Sequence, residues 1–232
     1  MMALAMNSIA ATKIVLTGDS TVNDEGGWGT GFRAQFGSEV EVVNLALNGG
    51  SSKSFRDEGA WAPALTAKAD YILIQFGHND GPGKGPERET DPKTTYRANL
   101  IRYIEEARRA GAKPVLVTSI VRRVFTEDGR IKADTLVPYV EEVRLIAAEQ
   151  HVPLMDMYAV TRAQSEALGP EKTAELNAVT KEGKPDTTHL GDKGRREVGI
   201  LAAKEFVRVV PAAAQFLKAS SGTQSALSSP QR

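Results

Sequence analysis

The chain has 232 residues, with 29 basic and 29 acidic side chains and a formal net charge of zero. Apolar residues make up 41% of it and charged residues 25%, as in an ordinary globular protein with one substantial core. The balanced charge argues against a general binder of nucleic acid or of anionic membranes. No apolar run approaches the roughly 20 residues that span a bilayer. The absence of cysteine excludes disulfides, thiolate metal sites and a cysteine nucleophile.

Five short apolar segments are predicted to be strands. Most of them are nearly continuous in apolar residues, as expected for strands that are covered on both faces. The second alternates more clearly, which is typical of an edge strand. In chain order they are residues 13–17, 40–44, 71–75, 114–119 and 152–156.

Helical patterns lie between and after these strands. Three of them carry apolar residues on one face, and the first ends near Gly111, a residue suited to a helix C-cap. Strands that alternate with helices predict an α/β fold, in which a parallel sheet has helices on both faces. The apolar positions are Tyr96, Leu100, Ile104 and Ala107, then Val140, Val143, Ile146 and Ala147, and finally Val198, Leu201, Ala202 and Phe206.

The chain shows no internal repeat and no linker between two cores. Residues 13–211 are therefore predicted to form a single domain. Residues 1–12 are mildly apolar but lack the basic start of a signal peptide, and we interpret them as an N-terminal extension. Residues 212–232 are predicted to be a C-terminal tail, disordered over its Ser- and Gln-rich end at 220–232.

Polar, glycine-rich segments follow the first three predicted strands, at residues 18–21, 45–54 and 76–80. In an open parallel sheet, ligands bind beyond the carboxyl ends of the strands. These segments are therefore expected to converge on one functional edge.

Ser20 is the candidate nucleophile, two residues after the first strand at a turn opened by Gly18. A serine needs an adjacent base to take its proton. A helix that began near Thr21 would also direct backbone N–H groups at the reacting centre. The alternative interpretation is that Ser20 or Thr21 only caps that helix.

Histidine is the expected base, and the chain has three. His151, before the fifth strand, is expected at the surface, whereas His78 lies in the loop after the third. His189 has Asp186 three residues upstream, a spacing that lets the carboxylate accept a hydrogen bond from the imidazole and orient it. The alternative is a turn in which Asp186 binds only backbone amides.

Acyl transfer also needs hydrogen-bond donors for the developing oxyanion. The backbone N–H groups of Ser20 and Gly49 and the side-chain amide of Asn79 are candidates. Each has an ordinary alternative, because Gly49 and Gly50 suit a flexible turn and Asn79 suits a loop-stabilising role. The complete set is much less easily explained by coincidence than any one of its members.

Four ordered blocks, GDST at 18–21, NLALNGGSSKSF at 44–55, GHND at 77–80 and DTTH at 186–189, resemble those of the SGNH (GDSL-type) hydrolases. The likeness is greatest to the rhamnogalacturonan acetylesterase branch of carbohydrate esterases and covers roughly residues 13–210. Gly27-Trp28-Gly29 supports it. One departure is Gly50, where many relatives carry Arg or another long residue.

The resemblance implies a three-layer α/β/α sandwich of flavodoxin-like type with a five-stranded, mainly parallel sheet. It also implies ester hydrolysis without a cofactor or a metal ion. By position, Ser20 resembles the nucleophile, His189 the base and Asp186 its orienting carboxylate. Ser20, Gly49 and Asn79 resemble the oxyanion donors.

Other residues near the site are candidates for substrate binding or support. Asp19 is expected to brace the turn, and His78 either contacts substrate or holds the Asn79 loop. The aromatic residues Trp28, Phe55 and Trp61 either stack on sugar rings or pack in the core. Asp19, Trp28, His78 and Asp80 are therefore the candidates for substrate binding or for support of the catalytic residues.

The resemblance favours removal of acetyl groups from an acetylated oligo- or polysaccharide such as a pectin or hemicellulose, by an extracellular or periplasmic monomer. Lysophospholipase or thioesterase activity and a non-catalytic carbohydrate-binding module stay open. So does a metal-dependent phosphoesterase, although the order Gly-His-Asn-Asp differs from the Gly-Asn-His-Asp/Glu motif of that class. Its candidate ligands are Asp19, His78, Asp80, Asp186 and His189.

Overall fold

The computed structural model describes residues 11–218, which surround a five-stranded sheet. The strand order is β2-β1-β3-β4-β5, and every neighbouring pair is parallel. The predicted α/β fold is confirmed, although the fifth strand is shorter than the sequence suggested. The strands are β1 (Thr12–Gly18), β2 (Val40–Asn44), β3 (Tyr71–Gln75), β4 (Lys113–Val117) and β5 (Leu154–Met155).

Seven helices accompany the sheet within the described residues. A π-helical turn at Pro92–Tyr96 leads into α4, and α6 is kinked at Gly169, where the backbone has φ of 75°. The helices are α1 (Gly29–Arg33), α2 (Ser54–Asp57), α3 (Ala62–Thr66), α4 (Arg97–Arg109), α5 (Val137–Glu149), α6 (Met157–Ala174) and α7 (Asp192–Val209).

The central strand β1 shows how the three layers form. Successive strand residues point to opposite faces, so Ile14 and Leu16 enter one apolar cluster and Val15 enters another. The first cluster includes Phe32 of α1 and Phe206 of α7. The second includes residues of α4 and α5. Both faces of the sheet are therefore covered by helices.

A two-stranded antiparallel hairpin lies outside the main sheet and was not predicted. It consists of β6 (Asn177–Val179) and β7 (Pro185–Leu190). Its residues are mostly polar and half-buried or exposed, so they lack the apolar pattern that marks the strands of the core. β7 carries Asp186 and His189 and leads directly into α7.

The ordered fold extends beyond both expected boundaries of the single domain. Thr12 belongs to β1, although residues 1–12 were assigned to the extension. A 3-10 helix at Pro211–Phe216 packs on the core, and Leu217 pairs with Phe36. The rest of the proposed extension, residues 1–10, and the tail predicted to be disordered, residues 220–232, lie outside the described residues.

The topology sets the position of the functional edge. Strand order reverses between β1 and β3, and such a switch point opens a crevice at the carboxyl ends of the strands. The loops after β1 and β3 carry Ser20 and Asn79. Among the described residues, no helix is long and apolar enough to cross a membrane.

Candidate active site

Ser20 lies in a single tight turn directly after β1. The amides of Val22 and Asn23 both donate to the Asp19 carbonyl, at 3.1 and 3.2 Å. The helix considered near Thr21 does not form, because the chain doubles back and the carbonyls of Thr21 and Val22 accept hydrogen bonds from the amides of Trp28 and Gly29. The first helix begins at Gly29.

The side chains of Ser20, His189 and Asp186 form a continuous hydrogen-bonded array. His189 Nε2 lies 2.8 Å from Ser20 Oγ, across 169 residues of sequence. His189 Nδ1 lies 2.7 Å from Asp186 Oδ2. A carboxylate accepts a hydrogen bond, so Nδ1 carries the proton and Nε2 is left to accept the Ser20 hydroxyl. This is the arrangement that a general base requires.

Asp186 combines both roles considered for it from the sequence. Its Oδ1 accepts the backbone N–H groups of Thr188 and His189, at 2.9 and 3.0 Å, while Oδ2 faces the imidazole. Burial alone would raise the pKa of Asp186, but the hydrogen bonds from His189 and Thr188 outweigh it and lower the pKa to about 2. The carboxylate is therefore ionised across neutral and mildly acidic pH.

Arg123 holds the backbone that carries the histidine, and the sequence analysis missed it. This buried guanidinium donates to the His189 carbonyl at 2.6 Å and to Asn177 Oδ1 at 2.5 Å. Its backbone N–H donates to the Thr187 carbonyl. Burial lowers the pKa of Arg123 to about 10. Arg123 thus ties the hairpin segment to the loop after β4.

Gly26 supports the imidazole from a third side. A Cβ built at Gly26 would lie 3.1 Å from His189 Cδ2, closer than an ordinary van der Waals contact. The Gly26 carbonyl also accepts the Leu190 amide at 2.8 Å. The glycine therefore lets the turn after Ser20 lie directly against the ring.

Two of the candidate oxyanion donors, Gly49 and Asn79, lie on loops that bind each other. Asn79 Nδ2 donates to the Gly50 carbonyl at 3.1 Å, and the Leu47 amide donates to the Gly18 carbonyl at 3.0 Å. Gly49 has φ of 75°, a conformation that favours glycine. Asn79 lines the cavity beside Ser20, whereas Gly49 is not one of its lining residues.

Asp80 joins the same two loops without lining the cavity. Its fully buried carboxylate accepts the Ser52 amide at 3.0 Å, the Ser52 hydroxyl at 2.6 Å and the Thr90 hydroxyl at 3.0 Å. Burial raises the pKa of Asp80 to about 7, against the opposite effect of these hydrogen bonds. Asp80 therefore supports the loops from behind.

Asp19 and His78 flank the site from the interior. Asp19 Oδ1 accepts the amide and hydroxyl of Thr21, at 2.8 and 2.7 Å, and burial raises the pKa of Asp19. His78 lines the cavity, and its Nε2 donates to the Ile120 carbonyl at 3.1 Å. Burial lowers the pKa of His78 to about 3, so this ring is neutral. Asp19 Oδ2 and His78 Nδ1 are buried and have no hydrogen-bond partner among the described residues.

Of the two roles considered for Trp28, core packing is the one that its position supports. Its side chain is fully buried, and its Nε1 donates to Gln75 Oε1 at 3.1 Å. Gln75 Nε2 in turn donates to Thr21 Oγ1 at 2.7 Å, so Trp28 supports the turn that carries Ser20 from the core. Phe55 and Trp61 are buried as well and cannot present a face to a sugar.

Every residue that lines the cavity has a polar side chain. The cavity has a volume of about 140 Å³. It is lined by Ser20, His78, Asn79, Lys84, Arg122, Asp186, Thr188 and His189. Within residues 11–218, no group of three or more His, Asp or Glu side chains is arranged to hold a metal ion. The metal ligands that a phosphoesterase would need are therefore not brought together among these residues.

The α/β fold, with a polar cavity at its switch point, is that of an ester hydrolase. Residues 7–196 match the model of the GDSL-like Lipase/Acylhydrolase family. The chain belongs to this family, and the predicted carboxylic ester hydrolase is thereby confirmed.

Two curated relatives and one solved structure are similar to the chain. Over 83% of this chain and 88% of the relative, it is 39% identical to rhamnogalacturonan acetylesterase RhgT of Bacillus subtilis strain 168. It is 35% identical to the probable rhamnogalacturonan acetylesterase YesY of the same strain, over 84% and 92% of the two chains. The crystal structure of Bacillus subtilis YxiM superimposes with a TM-score of 0.72 at 25% identity, covering 88% of this chain but only 58% of YxiM.

Proposed function

We propose that the chain is a carbohydrate acetylesterase that uses Ser20 as its nucleophile. The observation that carries the proposal is the array of Ser20 Oγ, His189 and Asp186, joined at 2.8 and 2.7 Å. His189 takes the hydroxyl proton as Ser20 attacks the ester carbonyl, and Asp186 stabilises the imidazolium that forms. His189 then protonates the leaving sugar hydroxyl, and water hydrolyses the acyl-enzyme.

The oxyanion of each tetrahedral intermediate is held by the amides of Ser20 and Gly49 and by the side chain of Asn79. One N–H of Asn79 is engaged by the Gly50 carbonyl, and its amide group carries a second. The Gly50 carbonyl thereby orients the Asn79 side chain. Asp19 braces the turn that carries Ser20, Asp80 joins the loops of Ser52 and Asn79, and neither takes part in the chemistry.

The cavity favours a small acyl group. Its volume of about 140 Å³ and its lining of polar side chains suit an acetyl group, whereas a fatty acyl chain would need apolar walls. This favours an acetylesterase over lysophospholipase or thioesterase activity. Rhamnogalacturonan is the proposed carrier, because two curated relatives bear that substrate in their names. A polymer of this kind lies outside the cell, so we propose an extracellular or periplasmic monomer.

Acetate release from acetylated polysaccharides tests this proposal. Ser20→Ala and His189→Ala are expected to lose at least a thousandfold in kcat on acetylated rhamnogalacturonan, because the nucleophile and its base act as one unit. The matched controls are Ser38→Ala and His151→Asn, exposed residues outside the cavity that should retain activity. His151 has φ of 50°, which asparagine tolerates. Acetate release that survives in Ser20→Ala would overturn the proposal.

A further inference from the structure

Two positively charged side chains line the catalytic cavity, and the proposed chemistry uses neither. Lys84 and Arg122 stand with the catalytic residues around this small space. A third, Arg88, covers the oxyanion loop, since its Nη1 would lie 3.3 Å from a Cβ built at Gly49. The cavity and its rim therefore carry a local positive field in a chain whose net charge is zero.

The neighbouring carboxylates pair with some of these cations but not with all of them. Asp186 is engaged with His189, Arg122 pairs with Asp134 at 2.6 Å, and Arg88 lies 3.5 Å from Glu87. Lys84 forms no ion pair with any other side chain between residues 11 and 218. Its exposed ammonium is thus the cation beside the cavity that is available to a ligand.

The loop that carries Lys84 is built to present it. Gly83 and Gly85, on either side, have φ of 88° and 95°, and both amides donate to Glu89 Oε1 at 2.8 and 2.9 Å. These hydrogen bonds lower the pKa of Glu89, so the anchoring carboxylate stays ionised. Lys53 Nζ donates to the Pro86 carbonyl at 2.8 Å and fixes the far side of the loop. Lys84 therefore projects from a turn held at two points.

We propose that Lys84 forms a subsite for a uronate carboxylate of the acetylated chain, with Arg122 adding to the field. This inference rests on the proposed acetylesterase function. A cation at the mouth of the cavity attracts a uronate-bearing chain such as rhamnogalacturonan, and gives no such advantage to a neutral carrier such as acetylated xylan. The subsite thus selects the carrier, while Ser20 and His189 act on the ester.

The test compares kcat/KM for acetylated rhamnogalacturonan oligosaccharides with kcat/KM for acetylated xylo-oligosaccharides, at several salt concentrations. Lys84→Gln is expected to lower the ratio of the two about tenfold, and Lys84→Glu to lower it further, because a hydrogen bond to a charged group is lost and then replaced by repulsion. The ratio should also fall with added salt in the wild type, and less so in Lys84→Gln. The matched control is Lys113→Gln, an exposed lysine at the amino end of β4, on the opposite edge of the sheet.

An unchanged ratio in both Lys84 variants, or a ratio insensitive to salt in the wild type, would overturn the subsite. That outcome leaves the proposed function standing if acetate is still released and the release depends on Ser20. Loss of the proposed function has a different signature, since the wild type would then fail on both carriers and on 4-nitrophenyl acetate.

Discussion

Arg123 offers a way to test whether the histidine must be held by its backbone. We predict that Arg123→Met lowers kcat/KM of the folded enzyme by about 10- to 100-fold, since even a 1 Å misplacement of a catalytic group can cost on the order of a hundredfold. The substitution removes the donors to the His189 carbonyl and to Asn177 Oδ1. The segment that carries His189 then loses its main anchor to the loop after β4.

The change in the free energy of unfolding is the balance of the hydrogen bonds that are lost and the burial cost that is relieved. Each hydrogen bond from a charged donor contributes roughly 1.5–3 kcal/mol. Burial of the guanidinium, which lowers the pKa of Arg123 to about 10, costs about 3 kcal/mol. We therefore expect Arg123→Met to reduce the free energy of unfolding by about 2 kcal/mol. Arg123→Lys should restore only part of the activity, because a single ammonium cannot reach both acceptors as a planar guanidinium does.

The assay measures kcat and KM for 4-nitrophenyl acetate well below the unfolding midpoint, together with urea unfolding of each variant. Arg109→Met is the matched control, because this exposed arginine pairs only with Glu105 on its own helix. The reasoning is refuted if Arg123→Met loses stability as expected but the folded enzyme keeps kcat/KM within about twofold of the wild type. Arg123 would then stabilise the fold without positioning His189.

Three further predictions concern carboxylates and protons. Asp186→Asn is expected to lower kcat by about 10²- to 10⁴-fold at neutral pH, with an unchanged circular dichroism spectrum, because an amide no longer selects the correct imidazole tautomer. The pH–rate profile should fall on the acid side, because a protonated imidazole cannot accept the Ser20 proton, while Asp186 (pKa about 2) stays ionised; a flat profile would contradict the proposed base. Asp80 has its pKa raised to about 7, so the folded state retains a proton that the unfolded chain loses near pH 4. Its contribution therefore makes stability fall, by up to about 4 kcal/mol, as pH rises from about 4 to 7, and Asp80→Asn should remove that decline in chemical unfolding measured across this range.

Apolar strands were the most predictable part of the fold. The segments at 40–44 and 71–75 match β2 and β3, because continuous or alternating apolar runs have few other stable arrangements. The hairpin of β6 and β7 escaped prediction because its polar residues are held by contacts with distant segments. One such contact is that of Arg123 with Asn177, 54 positions apart.

The candidate site was predictable where residue type and chain position together limited the choice. Ser20 lies shortly after the first predicted strand, and His189 is one of only three histidines and precedes the last predicted helix. Trp28 was ambiguous, because an aromatic residue beside a motif suits either a sugar platform or the core, and only its neighbours decide. Arg123 gave no signal at all, since one arginine among many in a polar segment does not reveal that it will be buried.

The most direct test of the account is covalent labelling of the nucleophile with a fluorophosphonate, followed by peptide mapping by mass spectrometry. The account predicts one adduct per chain, on Ser20, with none in Ser20→Ala and much slower labelling in His189→Ala. An adduct on another serine, or acetate release by a protein in which Ser20 stays unlabelled under saturating probe, would contradict it.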